Sequence, residues 1–159
     1  MGRYGLSDSN ITKKALATAL KKLMQTQPFE KISVGKICEA CELNRKSFYY
    51  HFKDKYDLVE WIFDTEFIAA VSAAKVTDRW SFVRALCEYF YRERAFYTKL
   101  FHLTGQNSFR RYFSEYLFRT AEPFLRPNIP LEAQQNENYA FFISFISDAI
   151  FIAIFRWLG

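Results

Sequence analysis

Two cysteines and a histidine stand close together in the segment KICEACELNRKSFYYHF, residues 36–52. Cys38 and Cys41 are three residues apart, and His51 follows ten residues after Cys41. This spacing is compatible with half of a zinc site or with a redox pair of thiols. It is also compatible with cysteines that pack in the core between short helices, so the choice between these interpretations decides what kind of protein this is.

The helical positions of the cysteines favour core packing. Val34, Ile37, Cys38 and Cys41 follow i, i+3, i+4, i+7 spacing and so form one apolar stripe of a short helix. A structural zinc site needs four nitrogen or sulfur ligands, and His102 is the only other histidine in the sequence. A redox pair usually lies at an exposed helix N-terminus rather than on a buried stripe. We therefore expect no metal and no cofactor at these residues.

The elements around the cysteines read as a series of helices. Periodicity predicts a helix over 10–26, a short second helix, a third that begins at Arg45, and a fourth from Lys55 to about residue 74. Polar residues that favour the N-cap position precede each of them: Asn10, Ser33, Asn44 and Asp54.

The third predicted helix turns basic, hydroxylic and aromatic residues away from its apolar face. Arg45 and Lys46 can donate to O6 and N7 of guanine, and Tyr49 can contact a thymine methyl group. Phosphate contacts, which set the register on DNA, are expected from Ser47, Tyr50, His51 and Lys55. Two short helices joined by a tight turn, the second basic and outward-facing, indicate a helix-turn-helix. The alternatives are a structural histidine at position 51 and merely solvated tyrosines.

The positive charge is concentrated in the first third of the chain. Residues 1–55 hold eleven Lys and Arg against five Asp and Glu, a net charge of +6, whereas residues 56–159 hold eleven against twelve, a net charge of −1. Such an imbalance indicates a polyanion-binding module followed by a neutral body. A basic surface that is only solvated is the alternative.

The rest of the chain also reads as helical, so the predicted fold class is all-α. Only five Gly and four Pro interrupt it. The pattern predicts two helices within 81–101 that meet near Arg92–Ala95, a loop at Gly105–Asn107, a helix over 108–125, a linker over 126–130 and one long helix over 132–158. We expect a helix-turn-helix domain at 1–54 and a helical regulatory and dimerisation domain at 55–159.

The last predicted helix is apolar enough to require a membrane test. Residues 139–158 are about as long as a helix that spans a bilayer, roughly 20 residues. However, Asp148 lies near the middle, where an acidic residue costs roughly 2.5–3.5 kcal/mol on insertion scales. We expect no membrane insertion, a cytoplasmic protein, and a helix that packs on its own domain and on a partner subunit.

A family resemblance covers about a third of the chain. Residues 12–63, TKKALATALKKLMQTQPFEKISVGKICEACELNRKSFYYHFKDKYDLVEWIF, resemble the DNA-binding domain of the TetR family of bacterial transcriptional regulators. The signature portion is residues 29–58. The segment NRKSFYYHFKDKYDLVEWIF is similar to the corresponding segment in a branch of this family that contains regulators of dihydroxyacetone kinase.

The resemblance implies roles for particular residues. Its base-contacting positions fall on Arg45, Lys46 and Tyr49. Its phosphate-contacting positions fall on Ser33, Ser47, Tyr50, His51 and Lys55. Lys36 is a further expected contact to the DNA backbone. It also implies a homodimer through helices at about 108–125 and 132–158, and an effector pocket within helices four to eight. The candidates for that pocket are Trp61, Phe67, Tyr89, Phe96 and Phe142, with core packing as the alternative for each.

The sequence departs from the family at the turn of the helix-turn-helix. Glu42 stands where the family usually has glycine, and Cys41 stands where it usually has a small alanine. We expect Glu42 to take a positive φ, which costs of order 1 kcal/mol for a residue with a side chain.

Together with the resemblance, these observations favour a homodimeric regulator that binds a pseudo-palindromic operator and responds to an effector, and the resemblance implies a repressor. The alternative is a co-activator whose body binds a partner protein instead of a small molecule. An enzyme is disfavoured, because the sequence shows no acid–base pair, Gly-rich phosphate loop or Ser/His/Asp set.

Overall fold

The computed structural model describes residues 4–103, 109–135 and 138–159. Over these ranges the chain forms nine α-helices and two short 3₁₀ turns, with no strand, which confirms the all-α prediction. The chain divides into two compact units, Met1–Ile68 and Ala69–Gly159. The predicted boundary between a DNA-binding domain at 1–54 and a regulatory and dimerisation domain at 55–159 stays a prediction. The predicted loop at Gly105–Asn107 lies outside the described residues.

The first unit contains the helices of the predicted DNA-binding module. They are α1 (Tyr4–Thr26), α2 (Val34–Glu39), α3 (Arg45–His51) and the first part of α4 (Lys55–Ala73), with a 3₁₀ turn at Phe29–Lys31. Their apolar faces meet in a core whose largest side chains are at most 2% exposed: Leu16, Leu20, Met24, Phe29, Phe48 and Phe63. Burying each such side chain contributes roughly 1.5–3 kcal/mol, so this core holds the short helices α2 and α3 in place.

Three of the four predicted N-caps are confirmed. The backbone N–H of Lys36 donates to Ser33 Oγ at 3.2 Å, and that of Ser47 donates to Asn44 Oδ1 at 2.8 Å. Asp54 Oδ1 accepts from the backbone of residues 56 and 57 at 2.8 and 2.9 Å. These side chains satisfy N–H groups that have no partner within the helix.

The prediction that Asn10 caps the first helix was wrong. Helix α1 begins at Tyr4, so Asn10 lies within it. Adding a residue to an existing helix forms a hydrogen bond for each residue fixed, so a cap-like residue does not end the helix by itself.

The turn between α2 and α3 closes without glycine. Leu43 N–H donates to Cys38 O at 2.9 Å and Glu42 N–H donates to Glu39 O at 3.3 Å, which is the pattern of a Schellman motif. This motif requires a left-handed residue, and Glu42 takes it with φ 57°, as predicted. The two bonds satisfy carbonyls at the end of α2 and fix the direction in which α3 leaves the turn.

The second unit contains α5 (Arg79–Arg92), α6 (Arg94–Phe101), α7 (Phe109–Leu125), α8 (Leu131–Gln134) and α9 (Asn138–Leu158). The break between α5 and α6 is confirmed. The single long helix predicted over 132–158 was wrong, because α8 is one separate turn. Gln134 Nε2 donates to Ile129 O at 2.7 Å and to Arg126 O at 3.0 Å, which ties this turn to the preceding linker.

The core of the second unit is aromatic. Phe90, Tyr97, Phe101 and Phe113 are at most 4% exposed, and Phe90 and Phe113 have ring centroids 4.9 Å apart in an edge-to-face arrangement. The hydroxyls of Tyr89 and Tyr97 are hydrogen-bonded to each other at 2.5 Å. This pairing lets two buried phenols keep a partner in an apolar environment.

Helix α9 packs along α7 on one side and exposes apolar side chains on the other. Phe141 is 71% exposed and Phe145 is 60% exposed. By length and composition α9 would suffice to cross a membrane, with mean hydropathy 1.9 and 22% of its most apolar window buried. A soluble helix with such a face is expected to be covered by a partner.

Candidate nucleic-acid interface

Helix α3 presents the predicted reading side chains to solvent. Arg45 and Lys46 are exposed, and Tyr49 and Tyr50 are 58% and 83% exposed. Phe48, on the opposite side of this seven-residue helix, is fully buried. One buried aromatic therefore anchors a helix whose outer side is basic and aromatic, as direct reading of a major groove requires.

Gly35 of α2 makes room for the guanidinium of Arg45. A Cβ built on Gly35 would lie 2.6 Å from Arg45 Nη2 and 3.2 Å from Nε, closer than atoms normally approach. The guanidinium therefore lies against the backbone of α2. Sequence reasoning missed this role, although a glycine inside a six-residue helix is a visible signal of close packing.

Two predicted contact residues use their hydroxyls within the protein. Ser33 caps α2, and Ser47 Oγ donates to Asn44 Oδ1 at 3.2 Å. Hydroxyl oxygens have further lone pairs but only one proton. A phosphate contact by Ser47 thus requires its proton to be redirected from Asn44.

The two lysines with a predicted phosphate contact, Lys36 and Lys55, also have partners in the protein. Lys36 Nζ donates to Gln27 Oε1 at 2.9 Å and to Lys31 O at 3.2 Å, at an exposed position. Lys55 Nζ donates to Phe29 O at 2.8 Å and to Ile32 O at 2.9 Å. Lys55 thus fastens the 3₁₀ turn to the start of α4, and its phosphate role stays a prediction.

The ammonium group of Lys55 is partly removed from water. It lies 4.3 Å from the centroid of the Phe29 ring. Burial lowers the pKa of Lys55, and the nearby Glu30 carboxylate opposes that shift. The carbonyls and the ring face supply the favourable contacts that an ammonium in this position needs.

His51 is half-buried beside the exposed Tyr50, with ring centroids 4.8 Å apart. Burial and, secondly, the positive charge of Lys13 lower the pKa of His51 below its ordinary value of 6.5. The imidazole is therefore mainly neutral at pH 7. A neutral ring still carries one N–H, which suffices for one hydrogen bond to a phosphate oxygen.

Lys13 of α1 is a residue near the interface that sequence reasoning did not single out. Its Nζ lies 5.7 Å from the Phe52 ring centroid and 5.9 Å from that of Trp61. These contacts place a positive charge behind α3 and next to His51.

Cys38 lies in the protein interior, and Cys41 is partly buried. Cys38 is 2% exposed, and Cys41 Sγ donates to Ile37 O at 3.2 Å. Burial raises the pKa of both thiols, which keeps them protonated at neutral pH. Within the ranges that the structure describes, no three His, Cys, Asp or Glu are grouped to hold a metal ion.

The predicted effector residues are divided between the two units. Trp61 and Phe67 belong to the first unit, where Phe67 is fully buried in a stack on Phe63. Tyr89 and Phe96 are at most 6% exposed in the aromatic core of the second unit, and Phe142 is 44% exposed on α9. Packing explains the buried members, and their effector role stays a prediction.

A groove between α7 and α9 was not predicted. It is open to solvent and has a volume of about 330 Å³. Six of its seven lining residues have polar or charged side chains: Ser114, Glu115, Phe118, Arg119, Ser144, Ser147 and Asp148. We refer to it as the α7–α9 groove.

The helix-turn-helix with an outward basic α3, followed by a helical body, defines a DNA-binding transcriptional regulator. Residues 16–62 match the family described as bacterial regulatory proteins, tetR family, and residues 78–159 match that family's transcriptional regulator C-terminal region. The chain belongs to the TetR family of transcriptional regulators, which confirms the resemblance of residues 12–63. The family is not one of enzymes, and it implies a cytoplasmic protein.

One curated regulator and one solved structure are similar to this chain. The chain is 31% identical over 97 residues to the HTH-type dhaKLM operon transcriptional activator DhaS of Lactococcus lactis subsp. lactis (strain IL1403), across 60% of this chain. It spans about half, 52%, of the length of that relative. A solved structure, the dihydroxyacetone kinase operon activator DhaS, matches with a TM-score of 0.62 over 92% of this chain and 85% of its own. At 22% identity the latter similarity shows the fold alone.

Proposed function

We propose that this protein binds a pseudo-palindromic operator as a homodimer and that its second unit modulates the affinity for DNA. The outward surface of α3 carries the proposal, since exposed Arg45, Lys46, Tyr49 and Tyr50 stand on one helix anchored by Phe48. Each copy places α3 in a major groove, with half-sites one or more helical turns apart. Bound to its operator, the protein is associated with the nucleoid.

The proposed contacts divide into two kinds. Arg45, Lys46 and Tyr49 read base edges, because they project from the start and middle of α3. Phosphate contacts come from residues around them: Ser33, Lys36, Ser47, Tyr50, His51 and Lys55. Lys36 and Lys55 have carbonyl partners, so their contribution requires a rearrangement or acts through charge alone.

Binding to the DNA upstream of its own gene tests the proposal. Fluorescence anisotropy with a labelled duplex at several salt concentrations should give an affinity that falls steeply with salt, since phosphate contacts release counterions. An affinity equal to that for an unrelated duplex at every salt concentration would reject the proposal.

Replacing Lys46 by Ala gives a sharper test of base reading. The variant should lose roughly 1–3 kcal/mol of operator affinity and discriminate less at one base pair. Lys22→Ala, which removes an exposed lysine of α1, is the matched control and should change affinity little. Equal losses for the two variants would contradict a base contact by Lys46.

The homodimer is proposed to form through α7 and α9, within the predicted ranges 108–125 and 132–158. The support is the apolar outer side of α9, where Phe141, Phe142 and Phe145 are 44–71% exposed. Sedimentation equilibrium measures the mass in solution directly. A monomer at the concentrations that bind operator would contradict this arrangement.

Two kinds of effector remain candidates, a small molecule and a partner protein. The partner protein is favoured by one observation, because the predicted pocket residues Tyr89 and Phe96 are packed in the core. The name of the relative from Lactococcus lactis describes an operon activator, which favours activation over the repression expected from the sequence. A reporter assay with and without the gene decides the sign of regulation.

A further inference from the structure

We propose that the α7–α9 groove is completed by a second copy of this chain, so that Arg119 of each copy pairs with Asp148 of the other. The inference rests on the proposed homodimer and assigns the residues that fix its register. Two equivalent ion pairs would then lie across the two-fold axis.

The first support is the state of these two charges in the single chain. Arg119 of α7 and Asp148 of α9 line the same groove, and both are exposed. Over the described ranges, neither has an ion pair or hydrogen bond with another residue. The neighbouring Glu115 differs, because Arg111 Nε donates to its Oε1 at 3.0 Å.

The second support is the apolar surface around the groove. Phe141 and Phe145, 71% and 60% exposed, lie on the same outward side of α9 as Asp148. A surface of this kind is expected to be covered, and covering it removes water from the charges beside it. A charge that loses its water without gaining a partner is strongly unfavourable, so the covering surface has to supply opposite charges.

The third support is the symmetry of the arrangement. A two-fold interface brings the same surface of both copies together, so a surface that carries one Arg and one Asp is complementary to itself. Asp148 is the eleventh of the 21 residues of α9, at its midpoint. A midpoint residue stays close to the axis when two copies of the helix cross there.

The chemistry of the groove favours a second copy over a small anion. An anion would meet Arg119 but also the Asp148 carboxylate on the other helix, which repels it. A second copy supplies both signs at matching positions. The pairs thereby also disfavour shifted registers, in which like charges would meet.

Charge exchange between two variants tests the inference. Arg119→Asp and Asp148→Arg, each alone, place like charges opposite each other and should raise the dimer dissociation constant about tenfold or more. The double variant R119D/D148R should dimerise again. An equimolar mixture of the two single variants should form heterodimers selectively, because each copy then brings two charges of one sign.

Sedimentation equilibrium gives the dissociation constants, and native mass spectrometry identifies heterodimers when one copy carries a mass tag. Arg84→Asp, a charge reversal on the exposed side of α5, is the matched control and should leave dimerisation unchanged. Circular dichroism verifies that each variant is helical.

Two results would overturn the inference while leaving the homodimer intact. One is unchanged dimerisation of both single variants. The other is recovery in the double variant without heterodimers in the mixture, which would mean that the two residues pair within one copy. A monomeric wild-type protein would instead reject the proposed homodimer itself.

Discussion

Glu42 holds a backbone conformation that residues with a side chain rarely adopt. Its φ of 57° belongs to the left-handed region, and two backbone hydrogen bonds require it there. The side chain is exposed, so no packing contact compensates for the conformation. The strain is therefore a feature of the turn that a single substitution can remove.

Replacing Glu42 by Gly should raise the free energy of unfolding by about 1 kcal/mol or somewhat less, since glycine adopts positive φ without cost but is more flexible when unfolded. Urea denaturation followed by circular dichroism measures the change. Glu42→Gln is the matched control, because it removes the same charge and keeps the strain. A gain of stability with Gln equal to that with Gly would show that charge, and not φ, is responsible.

Single residues were predictable where their partners are close in sequence. Ser33, Asn44 and Asp54 cap helices through atoms two or three residues away. Lys55 shows the opposite case, because its carbonyl partners are residues 29–32 and become neighbours only after folding. The sequence showed a lysine at a helix start, and nothing local distinguished a phosphate contact from this internal role.

The contact between α2 and α3 sets how these two helices are oriented. The two helices have six and seven residues, too short to be stable alone, so their mutual orientation depends on packing. Gly35 and Arg45 form one such contact, in which the missing side chain of one makes room for the other. The position of the Arg45 guanidinium, for which we propose a base contact, thereby depends on a residue of the preceding helix.

Replacing Gly35 by Ala should displace the Arg45 guanidinium and weaken operator binding several-fold. The stability should stay the same or rise by about 0.5–1 kcal/mol, because Ala is the better helix former and the displaced group is the mobile end of a side chain. Anisotropy titrations and thermal unfolding measure the two quantities. Arg45→Ala provides the control background, where adding Gly35→Ala should have no further effect on affinity.

An additional loss in that background would mean that Gly35→Ala acts by another route, such as a shift of α3 itself.

Helical periodicity failed to predict the end of α8. The apolar spacing over 132–158 continued smoothly, but α8 ends at Gln134, whose amide bonds back to the linker carbonyls. A hydrogen bond from a polar side chain to a preceding backbone carbonyl does not change the spacing of apolar residues, so periodicity cannot predict it.

For the whole molecule, we propose that association of two copies completes the second unit. The aromatic core formed by α5, α6, α7 and α9 is well buried, whereas the outer side of α9 is apolar and exposed. The charge distribution and the all-α class followed from the order of residues along the chain, through the charge counts of its two parts and the helical periodicity. The exposed face followed only once the neighbours of each aromatic were known, since core and surface phenylalanines look the same in the sequence.

Thermal unfolding of the wild-type protein should therefore depend on its concentration, because only the folded dimer gains the interface. Each tenfold increase should add about 1.4 kcal/mol to the apparent stability of the dimer. Calorimetry at several concentrations measures the trend. Phe145→Glu should abolish it, while Trp80→Glu, an equally drastic change at a 74% exposed site on α5, should not. A concentration-independent midpoint for the wild type would contradict association.

The placement of the three tryptophans gives the molecule its own optical reporters. Trp61 is half-buried in the first unit beside the Phe52 ring, whereas Trp80 and Trp157, in the second unit, are 74% and 52% exposed. A shielded indole emits at shorter wavelength than a hydrated one, so we expect Trp61 to emit at shorter wavelength than Trp80 and Trp157. The short-wavelength emission should therefore report on the folding of the first unit without any label.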